Sequence, residues 1–200
     1  MADYRTRPAA PADAADIARI YNQGIEDRLA TLETELRTPA ERAQWLAARG
    51  PRHPVIVGER TTEPEAASNR PPTSRAGLAG PATTDRDAAS NRPPTSRAGL
   101  AGWASLNVFN AREAYRFVAD ISVYVDRGWR GKGVGGALLA RLVELGREHG
   151  FHKLVLSAFP FNKAGMALYE KFGFRTVGIY REQGMLDGAW VDTVIMENLL

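Results

Sequence analysis

The chain has 200 residues, enough to bury a substantial core as one domain without disulfide or metal staples. It contains no cysteine, which excludes disulfides, thiolate zinc sites, iron–sulfur clusters and a cysteine nucleophile, and suits a reducing, cytoplasmic compartment. Its 26 Lys and Arg against 23 Asp and Glu leave a formal net charge of +3, with no basic arm that would ask for nucleic acid and no apolar run long enough for a membrane span.

Residues 4–9 read as a first strand. Asp13 is placed to cap a helix that runs to about residue 26, with Ile17, Ile20, Tyr21 and Ile25 at helical spacing. A second helix is expected over 39–50, with Pro39 in its first turn and Gly50 as its stop. Val55-Ile56-Val57 forms a short buried strand.

An internal repeat follows. Residues 66–80 read AASNRPPTSRAGLAG, and 88–102 repeat the same 15 letters at an offset of 22. Between 61 and 102 there is no aromatic residue, and Leu78 and Leu100 are the only large apolar ones. Such a segment buries too little to offset an ordering cost of about 1–2 kcal/mol per residue. The expectation is one domain over 1–200, interrupted by a disordered, duplicated loop at about 61–99. The second copy runs into strand-like sequence at Trp103, whereas the first meets Pro81.

Beyond the loop, 100–109 and 115–125 read as a hairpin about Asn110-Ala111-Arg112. A helix over 133–149 places Val134, Leu138, Leu142 and Leu145 on one face, and Gly150 ends it. A strand over 153–158, a helix over 162–172 stopped by Gly173, and strands over 175–180 and 190–197 complete the order. The class is mixed α/β (α+β) with a central, mostly antiparallel sheet.

The strand-to-helix transition at Arg130-Gly131-Lys132-Gly133-Val134-Gly135-Gly136 is built for an anion. Glycines allow close approach to backbone N–H groups, and the helix start adds unpaired donors with partial positive charge. A phosphate-binding P-loop is excluded, because Lys132 is followed by Gly133 rather than Ser or Thr. A dinucleotide fingerprint fits the glycine spacing of Gly131, Gly133 and Gly136, but the preceding strand closes a hairpin and no acidic residue ends a second parallel strand. A glycine turn without ligand is the remaining alternative.

Arg130-x-x-Gly133-x-Gly135, the Val123-x-Val125 pair upstream, and Asn162-x-x-Gly165-x-x-Leu168-Tyr169 with Phe172-Gly173-Phe174 downstream together resemble the GCN5-related N-acetyltransferase (GNAT) superfamily. The resemblance extends to the branch acting on phosphinothricin, methionine sulfoximine and arsinothricin. It is carried by Ile20-Tyr21-Asn22, by Ala30 to Glu35, by Thr38-Pro39-x-Glu41-Arg42-x-x-Trp45, by Ala111-Arg112-x-Ala114-Tyr115, and by Asp187-Gly188-x-Trp190-x-Asp192. It implies a GNAT fold of about seven strands and four helices. It also implies acetyl-CoA as co-substrate, with no metal, and a homodimer taking a small, amino-acid-like acceptor, in a detoxification or antibiotic-resistance role. Two positions depart from the branch: Leu32 replaces an aromatic pocket residue, and Asp120 replaces a glutamate.

The resemblance implies a cofactor site of Val123, Val125, Arg130, Gly131, Lys132, Gly133, Val134, Gly135, Gly136 and Asn162. It places Tyr169 near the departing sulfur and Leu32, Arg112 and Tyr115 around the acceptor. Asp120 stands in an apolar strand beside Ala119 and Ile121, a costly place for a carboxylate without a job or a partner. It is read as the base that deprotonates the acceptor amine, the alternative being an ion pair with Arg112 or Arg116. Arg112 suits a substrate carboxylate, because a guanidinium meets it bidentately. Asn162 can contact the cofactor arm, cap the following helix, or do both. Alternatives to the amino-acid acceptor are a polyamine, an aminoglycoside or a protein N-terminus, or an acyl-CoA-binding module without chemistry.

Overall fold

The computed structural model describes residues 4–60 and 99–200, so the disorder expected at about 61–99 lies, but for Gly99, outside the described residues. In chain order the elements are β1 (Tyr4–Pro8), α1 (Ala14–Glu26), α2 (Pro39–Ala47), β2 (Val55–Arg60), β3 (Leu100–Val108), β4 (Val118–Val125), α3 (Val134–Glu148), β5 (Lys153–Ala158), α4 (Lys163–Lys171), β6 (Arg175–Leu186) and β7 (Ala189–Leu199). The seven strands form one sheet in the order β1-β2-β3-β4-β5-β7-β6. All neighbours are antiparallel except β4 and β5. This is the expected mixed α/β architecture.

Both faces of the central strands are covered, and the strand period of two sorts the side chains. On one face α3 lays Leu138, Leu139 and Leu142, all fully buried, against Ile56, Ala104, Leu106, Ala119 and Ile121. On the other, α1 packs Ile17, Ile20, Tyr21 and Ile25 against Val55, Val57, Leu100 and Trp103. The end of the second repeat copy is part of this core, since β3 begins at Leu100. Gly102 is required there: a Cβ would come within 2.7 Å of the Tyr124 carbonyl oxygen and 3.0 Å of Leu138.

Local signals set the helix ends. Thr38 accepts from the Glu41 N–H at 3.2 Å, and Glu41 accepts from the Thr38 N–H at 2.6 Å, a reciprocal cap for α2. Asp13 does precede α1, but its carboxylate makes no capping bond to it. It takes Arg7 at 2.7 and 2.9 Å and the Ala10 N–H instead, because a bidentate charged partner outcompetes a neutral backbone donor. Three other boundaries differ from expectation. Helix α2 ends at Ala47, the β3–β4 connection is a longer loop over 109–117 with a 3-10 turn at Glu113–Tyr115, and β6 continues to Leu186.

Candidate active site

Strand β4 carries the site. Ala119 and Ile121 face α3, which leaves Asp120, Ser122 and Tyr124 on the α1 side, opposite Asn107, Ser105 and Trp103 of β3. The parallel pairing with β5 covers only Val118 to Asp120. Beyond that point β4 and β5 part, and two cavities open in the divergence.

The smaller cavity, ≈ 230 Å³, is lined by Asp120, Ile121 and Ser122 of β4, Ser157 and Ala158 of β5, Phe159, Thr193 of β7, and Ala30, Thr31 and Leu32. Burial pushes the Asp120 carboxyl up to about 6, while a hydrogen bond from Asn107 Nδ2 at 3.2 Å pulls the other way. The Asn107 carboxamide is itself held, donating to Ser122 Oγ at 3.1 Å and accepting from Ser105 Oγ at 2.9 Å. Asp120 therefore has an amide partner rather than an arginine, and Arg116 pairs with Glu113 at 2.9 Å. Leu32 closes one wall over β6, where a Cβ on Gly184 would meet it at 2.8 Å.

The larger cavity, ≈ 400 Å³, runs past Val123 and Val125, the turn Arg130, Gly131, Gly133, Gly135 and Gly136, and Asn162, Leu168 and Tyr169 of the α4 segment. Ala30 lines both cavities. Gly131 and Gly133 have φ of 74° and 87°, which an L side chain adopts only with strain. A Cβ on Gly135 would stand 3.1 Å from the Leu168 side chain, so a larger residue there would crowd the floor of the cradle. The N-cap of α3, Gly133, offers its first N–H groups no side-chain cap. Open donors at a helix start, a glycine floor and an adjoining arginine are what a pyrophosphate on an extended arm requires. Lys132 and Val134 do not line the cavity: Val134 is core, and Lys132 lies over the Trp129 ring at 5.1 Å. Their backbone remains part of the turn.

Tyr169 lines the larger cavity, and its phenol is pushed up to about 12 by burial, with the charge of Asp120 adding to the rise. The two groups line cavities whose walls share Ala30. Asn162 caps α4, accepting from the Gly165 N–H at 3.0 Å and donating to the Leu29 carbonyl at 3.2 Å.

The protein-family model that matches, over residues 84–174, is "Acetyltransferase (GNAT) family". The phosphinothricin N-acetyltransferase of Streptomyces coelicolor is 28% identical over 199 residues, covering 100% of this chain and 98% of its own. Among solved structures, a GNAT superfamily phosphinothricin acetyltransferase from Sinorhizobium meliloti in complex with AcCoA superposes with a TM-score of 0.76 at 25% identity, covering 99% of this chain and 89% of that one. A ribosomal-protein-alanine N-acetyltransferase from Brucella melitensis superposes at 0.75 with 28% identity, covering 98% and 99%. The chain is similar to GNAT N-acetyltransferases in sequence and in fold. That likeness identifies it as an N-acetyltransferase.

In this acetyltransferase Arg112 and Tyr115 sit on the exposed 109–117 loop and line neither cavity. Trp190 is exposed, and Asp192 binds Arg181 and the Glu182 N–H. Two site residues escaped the sequence. Asn107 becomes visible only when the β3–β4 register sets it opposite Asp120. Thr193 is buried in the acetyltransferase's smaller cavity, and its Oγ1 has no hydrogen-bond partner among the described residues.

Proposed function

We propose that this enzyme transfers the acetyl group of acetyl-CoA to the α-amine of a small amino acid or glutamate-like analogue, of the phosphinothricin or methionine sulfoximine type, in a ternary complex. The observation that carries the proposal is Asp120, a carboxylate tuned to about 6, in a small cavity that meets the Tyr169-lined cavity at Ala30. Gly131, Gly133, Gly135 and Gly136, the start of α3 and Arg130 would hold the pyrophosphate of acetyl-CoA, with Val123, Val125 and Asn162 along its arm. The bound molecule supplies an acetyl group activated as a thioester.

The rest is done by side chains. An α-ammonium near 8 gives its proton to a carboxylate near 6 at a cost of about 3 kcal/mol, well within a catalysed barrier. Asp120 would take one proton from the ammonium first, freeing the nitrogen lone pair to bond the acetyl carbon as the carbon–sulfur bond breaks, and the second N–H proton would pass to the departing thiolate. Tyr169 stands at the departing sulfur. With the phenol at about 12 and a free thiol near 8.5, complete transfer of its proton to the thiolate would be uphill by about 5 kcal/mol. Tyr169 therefore donates a hydrogen bond and keeps its proton. With no cysteine in the chain to carry the acetyl group, the amine attacks directly.

Arg112 is proposed as the clamp for the acceptor carboxylate; it stands outside the cavity walls, on the exposed loop that leads into the Asp120 end of β4, and would reach the acceptor from there. We also propose a homodimer, supported by exposed Val177, Ile179 and Tyr180 on edge strand β6 and Trp190 on β7, where monomers usually place charge. Sedimentation at micromolar concentration tests it. A cytoplasmic setting and a role in resistance to amino-acid-like toxins belong to the same proposal. No helix among the described residues is long and apolar enough to cross a membrane.

A protein N-terminus is the second reading, favoured by the superposition on the ribosomal-protein-alanine enzyme. Thiol release from acetyl-CoA separates the two when phosphinothricin, methionine sulfoximine and an alanine-initiated peptide are compared. The proposal expects turnover with the free amino-acid analogues, and turnover with the peptide alone would replace it with the second reading.

A further inference from the structure

One side of α1 is stapled to the loop that joins β4 to α3. Arg19 pairs with Asp126, and Gln23 donates to Asp126 at 3.0 Å while accepting from the Arg127 backbone N–H at 2.9 Å. Glu26 takes the Arg127 guanidinium at 2.7 Å. Asp27, the C-cap of α1, takes two arginines, Arg127 at 2.6 Å and Arg130 at 2.7 Å.

The bond to Arg130 differs from the others, because Arg130 is the basic residue in the lining of the larger cavity. Its guanidinium is fixed at two points, Nε to the Val125 carbonyl at 3.3 Å and Nη1 to Asp27. Five N–H groups are available on a guanidinium, so this double anchorage leaves donors for an incoming anion while removing rotamer freedom. Ordering a side chain before a ligand arrives lowers the entropy lost on binding.

We propose that Asp27 is a positioning residue for the co-substrate: it sets Arg130 beside the turn from Gly131 to Gly135, so that the guanidinium already points at the place of the pyrophosphate. The proposal rests on the acetyl-CoA reading above. Asp27 is equipped for the task, since Arg127 foremost and Arg130 next hold its carboxyl below the usual range and keep it charged. It also ends the helix whose next residues, Leu29 to Leu32, wall both cavities. Nothing in the chemistry of acetyl transfer touches Asp27 itself, so its influence should appear in donor binding and not in the chemical step.

Steady-state kinetics with two donors test this, acetyl-CoA and S-acetylpantetheine, which keeps the thioester arm and lacks the nucleotide pyrophosphate. Asp27→Ala and Asp27→Asn should raise KM for acetyl-CoA by about tenfold with kcat retained at saturation, and leave KM for S-acetylpantetheine within about twofold of wild type. Asp27→Glu should recover part of the loss. An unchanged KM for acetyl-CoA overturns the proposal, as does a lowered KM, which would make Asp27 a competitor of the phosphates. Equal losses with both donors would also overturn it, by showing a role in folding alone. If wild type shows no preference for acetyl-CoA over S-acetylpantetheine, the pyrophosphate site falls and this proposal falls with it. A wild-type preference that Asp27→Ala keeps intact removes only the role of Asp27.

Discussion

Asn107 lies directly across the β3–β4 ladder from Asp120 and donates to its carboxylate at 3.2 Å. Burial alone would carry Asp120 further from its ordinary value, and this bond is what restrains the rise to about 6. Asn107→Leu removes the donor and leaves the carboxylate buried. The acid limb of kcat/KM, where activity is lost as pH falls through the Asp120 value, should then move upward by about one pH unit. A pH profile of the variant measures this directly, and an unmoved limb would mean that Asn107 does not tune the base.

Tyr169 remains protonated throughout the working range, because burial and Asp120 push it to about 12. Tyr169→Phe should lower kcat by about 10²–10³ through loss of one donor to the developing thiolate. The wild-type profile should show no basic limb from this residue below about pH 10. A limb near pH 8 that disappears in Tyr169→Phe would show proton transfer rather than hydrogen bonding.

The Thr193 hydroxyl is buried without a hydrogen-bond partner among the described residues. Thr193→Val keeps the shape of the side chain and removes the unpaired group, so it should stabilise the enzyme by about 1 kcal/mol, with the buried-polar penalty setting an upper bound near 3 kcal/mol. Chemical denaturation reads this out. A loss of stability would reveal that the hydroxyl is satisfied in solution.

Deleting 66–87 restores a single repeat copy and keeps Leu100, Ala101 and Gly102 as the start of β3. The shorter connection should fold as well as the parent, with a gain of roughly 0.7 kcal/mol from loop closure. Acetyl transfer should be unchanged. A large loss of either property would assign the duplication a role.

The elements that sequence exposed best are those whose local code and tertiary role agree. Helix α3 is one, where Val134, Leu138, Leu142 and Leu145 form one stripe between a glycine turn and Gly150, and strand β5 matched residue for residue. The sequence expectation for β6 stops at Tyr180, and the polar stretch from Arg181 to Gly184 that follows includes Glu182 at a φ of 50°. Pairing with β7 resumes at Gly184 after a register shift, a long-range effect that no local window contains. The same holds in the candidate site. Surroundings and motif single out Asp120 and Tyr169, and the fold sets each in a cavity wall, whereas Asn107 and Asp27 meet their partners across separations of 13 and 103 residues that only the fold closes.

The central claim is that Asp120 is the base of an acetyl transfer to an amino-acid amine. The most direct measurement is the pH dependence of acetyl-CoA turnover with phosphinothricin, for wild type and Asp120→Asn. Wild type should show an acid limb near pH 6 and active enzyme above it. Asp120→Asn should lose about 10²–10⁴ in kcat/KM together with that limb. Because the raised carboxyl binds its proton more tightly when folded, Asp120 weakens the fold as pH rises from about 4 to 6. Asp120→Asn should accordingly be as stable as wild type or more so at pH 7, which removes misfolding as an explanation. A variant that turns over at the wild-type rate with the same pH profile would contradict the account.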